Sequence, residues 1–275
     1  MGCCPGEECV AQVGFRRYEF AGTESGKDFV VRSVFGLGFL VFASAAWIAS
    51  PPVRAAIVVN NDEWTLSDSG FGFAPDAPNF AQNVAALFSG GGPGNFLVYS
   101  SNFGLTGSQL ASTMASAGHA WTISTALPFT LATFQQYDGL FLAGSDSYPN
   151  ALEAADLIAY VQGGGSLYIA AGTGNGGAVT EAAAWNQVLN AFGLSLAPSY
   201  NGIAGNIAIS SPHPLFVGVN SLYQNNGNSI VDLEPANPDN EVLVTLGGDG
   251  LYAVWVPEPA PLLLLGVAAL IRRRR

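Results

Sequence analysis

His119 and His213 are the two imidazoles of the chain, and a side chain that changes charge near neutral pH is the natural general base. Asp146, flanked by Ser145 and Ser147, would complete a Ser/His/Asp set for hydrolysis. The G-x-S-x-G turn that lifts a serine above a sheet is absent. Both histidines read as loop residues, His119 just past a helix stop and His213 between Pro212 and Pro214. Gly172-Thr-Gly-Asn-Gly-Gly177 fits G-x-G-x-x-G between an expected strand and an expected helix. There Gly172, Gly174 and Gly177 would let backbone N–H groups approach a phosphate. The same residues also make an ordinary tight strand-to-helix turn. Gly90-Gly-Gly-Pro-Gly94 lacks the Lys and Ser/Thr of a P-loop and reads as a turn. Asp232, Glu234, Asp239 and Glu241 crowd into ten residues with two asparagines, oxygen chemistry that suits calcium. The spacing is not that of an EF-hand. Asn60-Asn-Asp-Glu63 is a second patch of this kind, and solvated loop is the default reading of both.

The charges narrow the chemistry. All nine Lys and Arg residues lie at positions 16, 17, 27, 32, 54 and 272 to 275. Between Ala56 and Pro257 there are fourteen carboxylates and no cation, a formal charge of −14. Such a body has no Lys or Arg to hold nucleic acid, no Schiff-base lysine and no arginine clamp for phosphate. It is a self-repelling surface suited to solubility and to gathering cations. Cys3, Cys4 and Cys9 all precede residue 10, so the body has no disulfide, no thiolate nucleophile and no thiolate metal site.

The elements that must position these residues alternate in type. Ile57 to Val59 reads as a leading strand, followed by a helix over Asn79 to Phe88 with Phe80, Val84, Leu87 and Phe88 on one face. Phe96-Leu-Val-Tyr99 is a buried strand, and Thr106 with Gln109 forms a capping box that opens a helix carrying Leu110 and Met114. Trp121 to Ile123 and Gly139 to Ala143 follow as strands, with a short helix near Thr130 to Gln136 between them. Asn150 with Glu153 caps a helix that stops at Gly163 to Gly165, and Leu167 to Ala171 is the next strand. Trp185, Val188, Leu189 and Phe192 recur at i, i+3, i+4 and i+7 on a helix ended by Gly193. This alternation predicts a single α/β domain over 56–256, with a mostly parallel sheet covered by helices on both faces. Strand-like pieces at Asn206 to Ile209, Ser229 to Leu233, Glu241 to Leu246 and Leu251 to Val256 are expected as added edge strands.

Phe96-Leu-Val-Tyr-Ser-Ser-Asn102, Tyr137-Asp-Gly-Leu-Phe-Leu-Ala-Gly144, the stretch from Ala159 to Ala170 and His213-Pro-Leu-Phe216 resemble the class I glutamine amidotransferase-like group. That resemblance implies a flavodoxin-like core. Catalytic members present a cysteine in the turn after a central strand. The matching turn here, Ala170-Ala-Gly-Thr-Gly174, has none, and only Thr173 could stand in its place. The resemblance therefore implies the fold and argues against amidotransferase activity.

Both ends of the chain read as addresses. Residues 1–55 form a leader in which the uncharged stretch 34–48, preceded by Lys27 and Arg32, has the layout of a secretory signal. Cleavage is expected between Ala55 and Ala56. The acidic region ahead of it suggests a true start near Val30 or Val31. At the other end, Val256-Pro257-Glu258-Pro259 leads into an apolar run over 262–271 and then Arg272, Arg273, Arg274 and Arg275. Ten apolar residues are short for a membrane span, which takes about 20, and the arginines would be held on the cytoplasmic face. This tail, 257–275, resembles the PEP-CTERM signal. The resemblance implies an exosortase-type processing enzyme as partner, alongside signal peptidase and the Sec translocon.

An apolar helix at each end of the precursor, an exported body and no nucleic-acid partner follow as expectations. The leading functional expectation is a non-catalytic module, without a cofactor, that binds a ligand, glycan or protein at the envelope or cell surface. A Ser/Asp/His hydrolase and a calcium-stabilised matrix component are the alternatives.

Overall fold

The computed structural model describes residues 55–144 and 148–258, which belong to one compact unit. The elements run β1 (Ile57–Asn60), α1 (Asp68–Phe73), α2 (Ala77–Ser89), β2 (Asn95–Val98), α3 (Phe103–Thr106), α4 (Ser108–Ser116), β3 (Ala120–Ile123), α5 (Leu131–Phe134) and β4 (Gly139–Ala143). Then come α6 (Ala151–Gln162), β5 (Ser166–Ala170), α7 (Gly177–Leu189), β6 (Leu194–Tyr200), β7 (Ala204–Ala208), β8 (Ser221–Asn225), β9 (Asn228–Asp232), β10 (Asn240–Leu246) and β11 (Asp249–Trp255).

The period of two in the first five strands decides the layering, because successive side chains of a strand point to opposite faces. Val58, Phe96, Val98, Phe141 and Tyr168 face one way and meet Phe80, Val84 and Phe88 of α2 with Leu110 and Met114 of α4. Ile57, Val59, Leu97, Leu140, Leu142 and Ile169 face the other way, against α5, α6 and α7. β1, β2, β4 and β5 are therefore apolar on both faces, as covered parallel strands must be, while β3 at the edge is partly exposed. All five pair in parallel in the order β3-β2-β4-β5-β1.

An antiparallel extension continues from β1 through β11, β9 and β6, with β10 paired to β11. Two expectations change here. The pieces at 251–256 and 229–233 are not edge strands, since β11 lies between β1 and β10 and β9 lies between β11 and β6, and Val58 opposite Val254 is fully buried. The piece at 206–209 belongs to a separate two-stranded sheet of β7 and β8. A third expectation fails locally. Thr106 does not cap the helix that follows it, and its hydroxyl donates to the Asn102 carbonyl instead. Asp68 of α1 caps α4, its carboxylate accepting from the Ser108 and Gln109 N–H groups at 3.2 and 2.8 Å. The Asn150/Glu153 capping box forms as expected.

Among the described residues no helix is long and apolar enough to cross a membrane. The apolar stretches at 34–48 and 262–271, the arginines 272–275 and the expected start lie outside the described residues.

Candidate functional site

Chain order reverses between β2 and β4: β2 leads to β3 on one side, and the chain then returns to β4 on the other. In open α/β sheets a ligand crevice forms outside the carboxyl ends of the strands at such a point. A cleft of about 240 Å³ lies there. It is walled by Tyr99 and Ser100 after β2, Phe129 before α5, Tyr148 after β4, Glu153 of α6 and Trp185 of α7. Tyr99 is fixed by its hydroxyl, which donates to the Leu127 carbonyl at 2.8 Å. Ser100 donates to Ala143 O at 3.0 Å, tying the ends of β2 and β4 together.

Behind the cleft, the same edge of the sheet buries acids. Asn60, Asn61 and Asp62 are fully buried and Glu63 is 6% exposed, so the patch that reads as solvated loop is interior. The reason is local: β1 ends under the turn after β5 and the turn between β8 and β9. A Cβ at Gly172 would lie 2.9 Å from the Asn61 carbonyl, and one at Gly227 would overlap it. Asp62 accepts from Trp64 N at 2.6 Å and from the Asn225 N–H. Burial nevertheless raises its pKa to about 6. Glu63 is raised to about 7, by burial first, against a hydrogen bond from the Asn102 amide and with Asp62 and Glu181 adding repulsion.

Glu181 is fully buried in α7, and burial raises its pKa despite donors around it. Its Oε1 accepts from the N–H and hydroxyl of Thr173 at 3.2 and 2.9 Å. The Tyr148 hydroxyl sits 3.0 Å from Thr173 Oγ1 and donates to Asn175 O at 2.9 Å. Tyr148 thus links the cleft wall to the acidic layer. Among the described residues, Glu181 Oε2, both side-chain polar atoms of Asn61, the Trp185 indole N–H and the Tyr200 hydroxyl are buried with no partner.

The residues singled out from sequence separate in space. Thr173 reaches this edge, but its hydroxyl is held between Glu181 and Tyr148. Gly172, with φ of +72°, serves the close approach to Asn61. Gly174 and Gly177, also at positive φ, shape the turn into α7. A phosphate there would meet the Glu181 carboxyl and no Lys or Arg among the described residues.

Both histidines lie at the opposite, amino end of the strands. His119 Nδ1 accepts from Gly94 N, just before β2. His213 caps a 3-10 turn by accepting from Leu215 N. It sits in the β7–β8 connection, whose far end, at Asn225, is the one that reaches Asp62. Glu241 is its charged neighbour. Burial lowers the pKa of both histidines. Asp146, Ser145 and Ser147 lie outside the described residues.

Asp232, Glu234 and Asp239 fold their own turn, accepting from Glu234 N, Asn237 Nδ2 and Glu258 N. Glu241 points out from β10, exposed. Among the described residues no three carboxylate, imidazole or thiol groups converge to hold a metal ion.

No protein family, curated protein or solved structure matches the chain.

Proposed function

We propose that this chain is an exported module, sorted to the cell envelope or surface, whose α/β domain binds a small ligand without transforming it. The observation that carries the reading is the cleft between the carboxyl ends of β2 and β4, walled by aromatic rings and hydroxyls and backed by Glu153. Its ligand class is polar, organic and not anionic, because every charged group of the described body except the histidines is an acid.

The strand order supports a flavodoxin-like reading of the fold. Counted from β2, the order β3-β2-β4-β5-β1 becomes 2-1-3-4-5, the flavodoxin-like order. The fifth place is taken by β1, the first strand among the described residues, as in a circular permutation. In the turn where catalytic amidotransferase-like members carry a cysteine, Thr173 stands here with its hydroxyl already engaged, which favours binding over acyl transfer.

Export and sorting rest on the two ends of the sequence. Val256 N donates to the Asp239 carbonyl and Glu258 N to its carboxylate, so the domain closes where the sorting tail begins. Signal peptidase would remove the leader after Sec transport, and an exosortase-type enzyme would process the tail. The expected cut before Ala56 meets a physical objection: Ala56 is fully buried and its N–H donates to Ser166 Oγ at 3.2 Å. A new ammonium there would be desolvated at the edge of β1, and a cut upstream of Ala55 avoids this.

The test is a screen of the purified protein against neutral and cationic metabolites and oligosaccharides, read by intrinsic fluorescence with chemical analysis of the recovered ligand. Saturable binding, weakened at least about tenfold in Phe129→Ala and with the ligand unchanged, is the expected result. Turnover of an ester, amide or glycoside would overturn the reading.

A further inference from the structure

The narrower identity of the ligand rests on the cleft reading above. We infer that the cleft takes an organic ammonium ion, such as a trimethylammonium head group, held against ring faces beside a carboxylate.

Four aromatic side chains line the cleft in two perpendicular pairs. Tyr99 and Phe129 meet with centroids 4.8 Å apart at 85°. Tyr148 and Trp185 meet at 6.0 Å and 85°. Trp185 is only 3% exposed and Phe129 also meets Phe134 edge to face at 4.8 Å, so the ring surface open to a ligand comes from the half-buried Tyr99, Phe129 and Tyr148, and ring faces carry the negative part of the quadrupole. Cations seat on such faces, and alkylated ammonium ions do so best because little water must be stripped from them.

The rest of the wall has matching polarity. Glu153 supplies a carboxylate, and its charge acts on Tyr99, whose hydroxyl is pushed up by burial first and by Glu153 second. Ser100, Ser101 and Thr125 add oxygen atoms. No Lys or Arg occurs among the described residues, so an anion would be repelled and a neutral molecule would gain nothing from the field, whereas a monocation is drawn in. About 240 Å³ is below the usual range for drug-sized ligands and suits a head group.

The carboxyl edge holds two other candidates, and neither goes as far. The aromatic row Phe103, Trp64, Tyr223 and Phe73 is partly exposed, but nothing in the structure names what would cover it. The buried carboxyls Asp62, Glu63 and Glu181 do not converge on a metal position.

The test is isothermal titration of the purified protein with choline and with 3,3-dimethyl-1-butanol, its uncharged isostere, at low and high sodium chloride. Choline should bind at least about tenfold more tightly than the alcohol, and salt should weaken choline alone. Glu153→Gln, which preserves the capping acceptor of α6, should reduce that preference, and Phe129→Ala should weaken choline by about tenfold. Thermal melts of both variants check that they fold. If the alcohol or a neutral sugar binds in the cleft as tightly as choline, the ammonium inference falls and the cleft reading stands. If no probe saturates, or Phe129→Ala binds choline unchanged, both fall.

Discussion

Asp62 and Glu63 keep their protons to higher pH than free carboxyls do, because burial disfavours their charged forms. Their pKa values stand at about 6 and about 7 in the folded protein, against 3.8 and 4.5 for the free side chains. Between pH ~4 and ~7 the folded state therefore binds more protons than the unfolded one, so stability is greatest at the acid end of that window and falls as pH rises. Each group contributes a slope of up to about 1.4 kcal/mol per pH unit while it titrates, and the fully buried Asp62 accounts for roughly 3 kcal/mol in total. Thermal melts should show Tm dropping from pH 5 to pH 8. Glu63→Gln, which can still accept from Asn102, should raise Tm at pH 8 and flatten the curve below pH 7. A Tm that rises over this range would contradict the placement of these carboxyls. Asp68 behaves oppositely. Hydrogen bonds from α4 lower its pKa, so its contribution is present above pH ~4 and is lost on acidification below that. The acidic layer was half legible in sequence. Asn60 to Glu63 stood out as an oxygen-rich patch, but its burial depends on Gly172 and Gly227, more than a hundred residues away. Glu181 carries a sequence signal of its own, being the only charge in the thirteen residues of α7.

At the scale of elements, the capping of α4 shows where local reading stops. Thr106 and Gln109 have capping-box spacing, yet α4 starts after Gly107 and takes its cap from Asp68, a side chain about 40 residues earlier. Asp68→Ala should cost about 1 kcal/mol and Thr106→Ala less than about 0.5 kcal/mol, measured by urea unfolding. The reverse ranking would restore the local cap. The helix faces and the first five strands were legible because period and burial agree. β6 was not, since Pro198 and the polar residues beside it break the run, although Leu194 and Leu196 alternate inward. The β10–β11 pair turns on Gly247 and Gly248, at φ of +64° and +101°, the left-handed pair a two-residue hairpin requires. That hairpin carries β11 into the interior beside β1, a placement no local pattern encodes.

For the whole molecule, stability rests on two cores separated by one sheet, with no disulfide available to the body. Phe80 ties the first core together, stacked on Phe216 at 5.6 Å and edge-on to Tyr168 and Tyr252. Phe80→Ala should cost about 3–5 kcal/mol in a denaturant melt, a large share of the ~5–15 kcal/mol that holds a typical domain folded. The export reading makes its own prediction at this scale. Mass spectrometry of the mature protein should find an N-terminus upstream of Ala55 and no Arg272 to Arg275, and an intact tail would argue against processing. What the sequence could not supply is the cleft, because Tyr99, Phe129, Tyr148, Glu153 and Trp185 come from five segments, and each has an adequate local role as strand, loop, cap or core residue. The central claim is that these side chains hold a ligand and leave it unchanged. Isothermal titration of wild type and Phe129→Ala with a ligand found by screening, followed by chemical analysis of that ligand, tests it most directly. The account predicts saturable binding by the wild type, at least about tenfold weaker binding by the variant and an unaltered ligand. Equal affinity in the two proteins, or a chemically converted ligand, would contradict it.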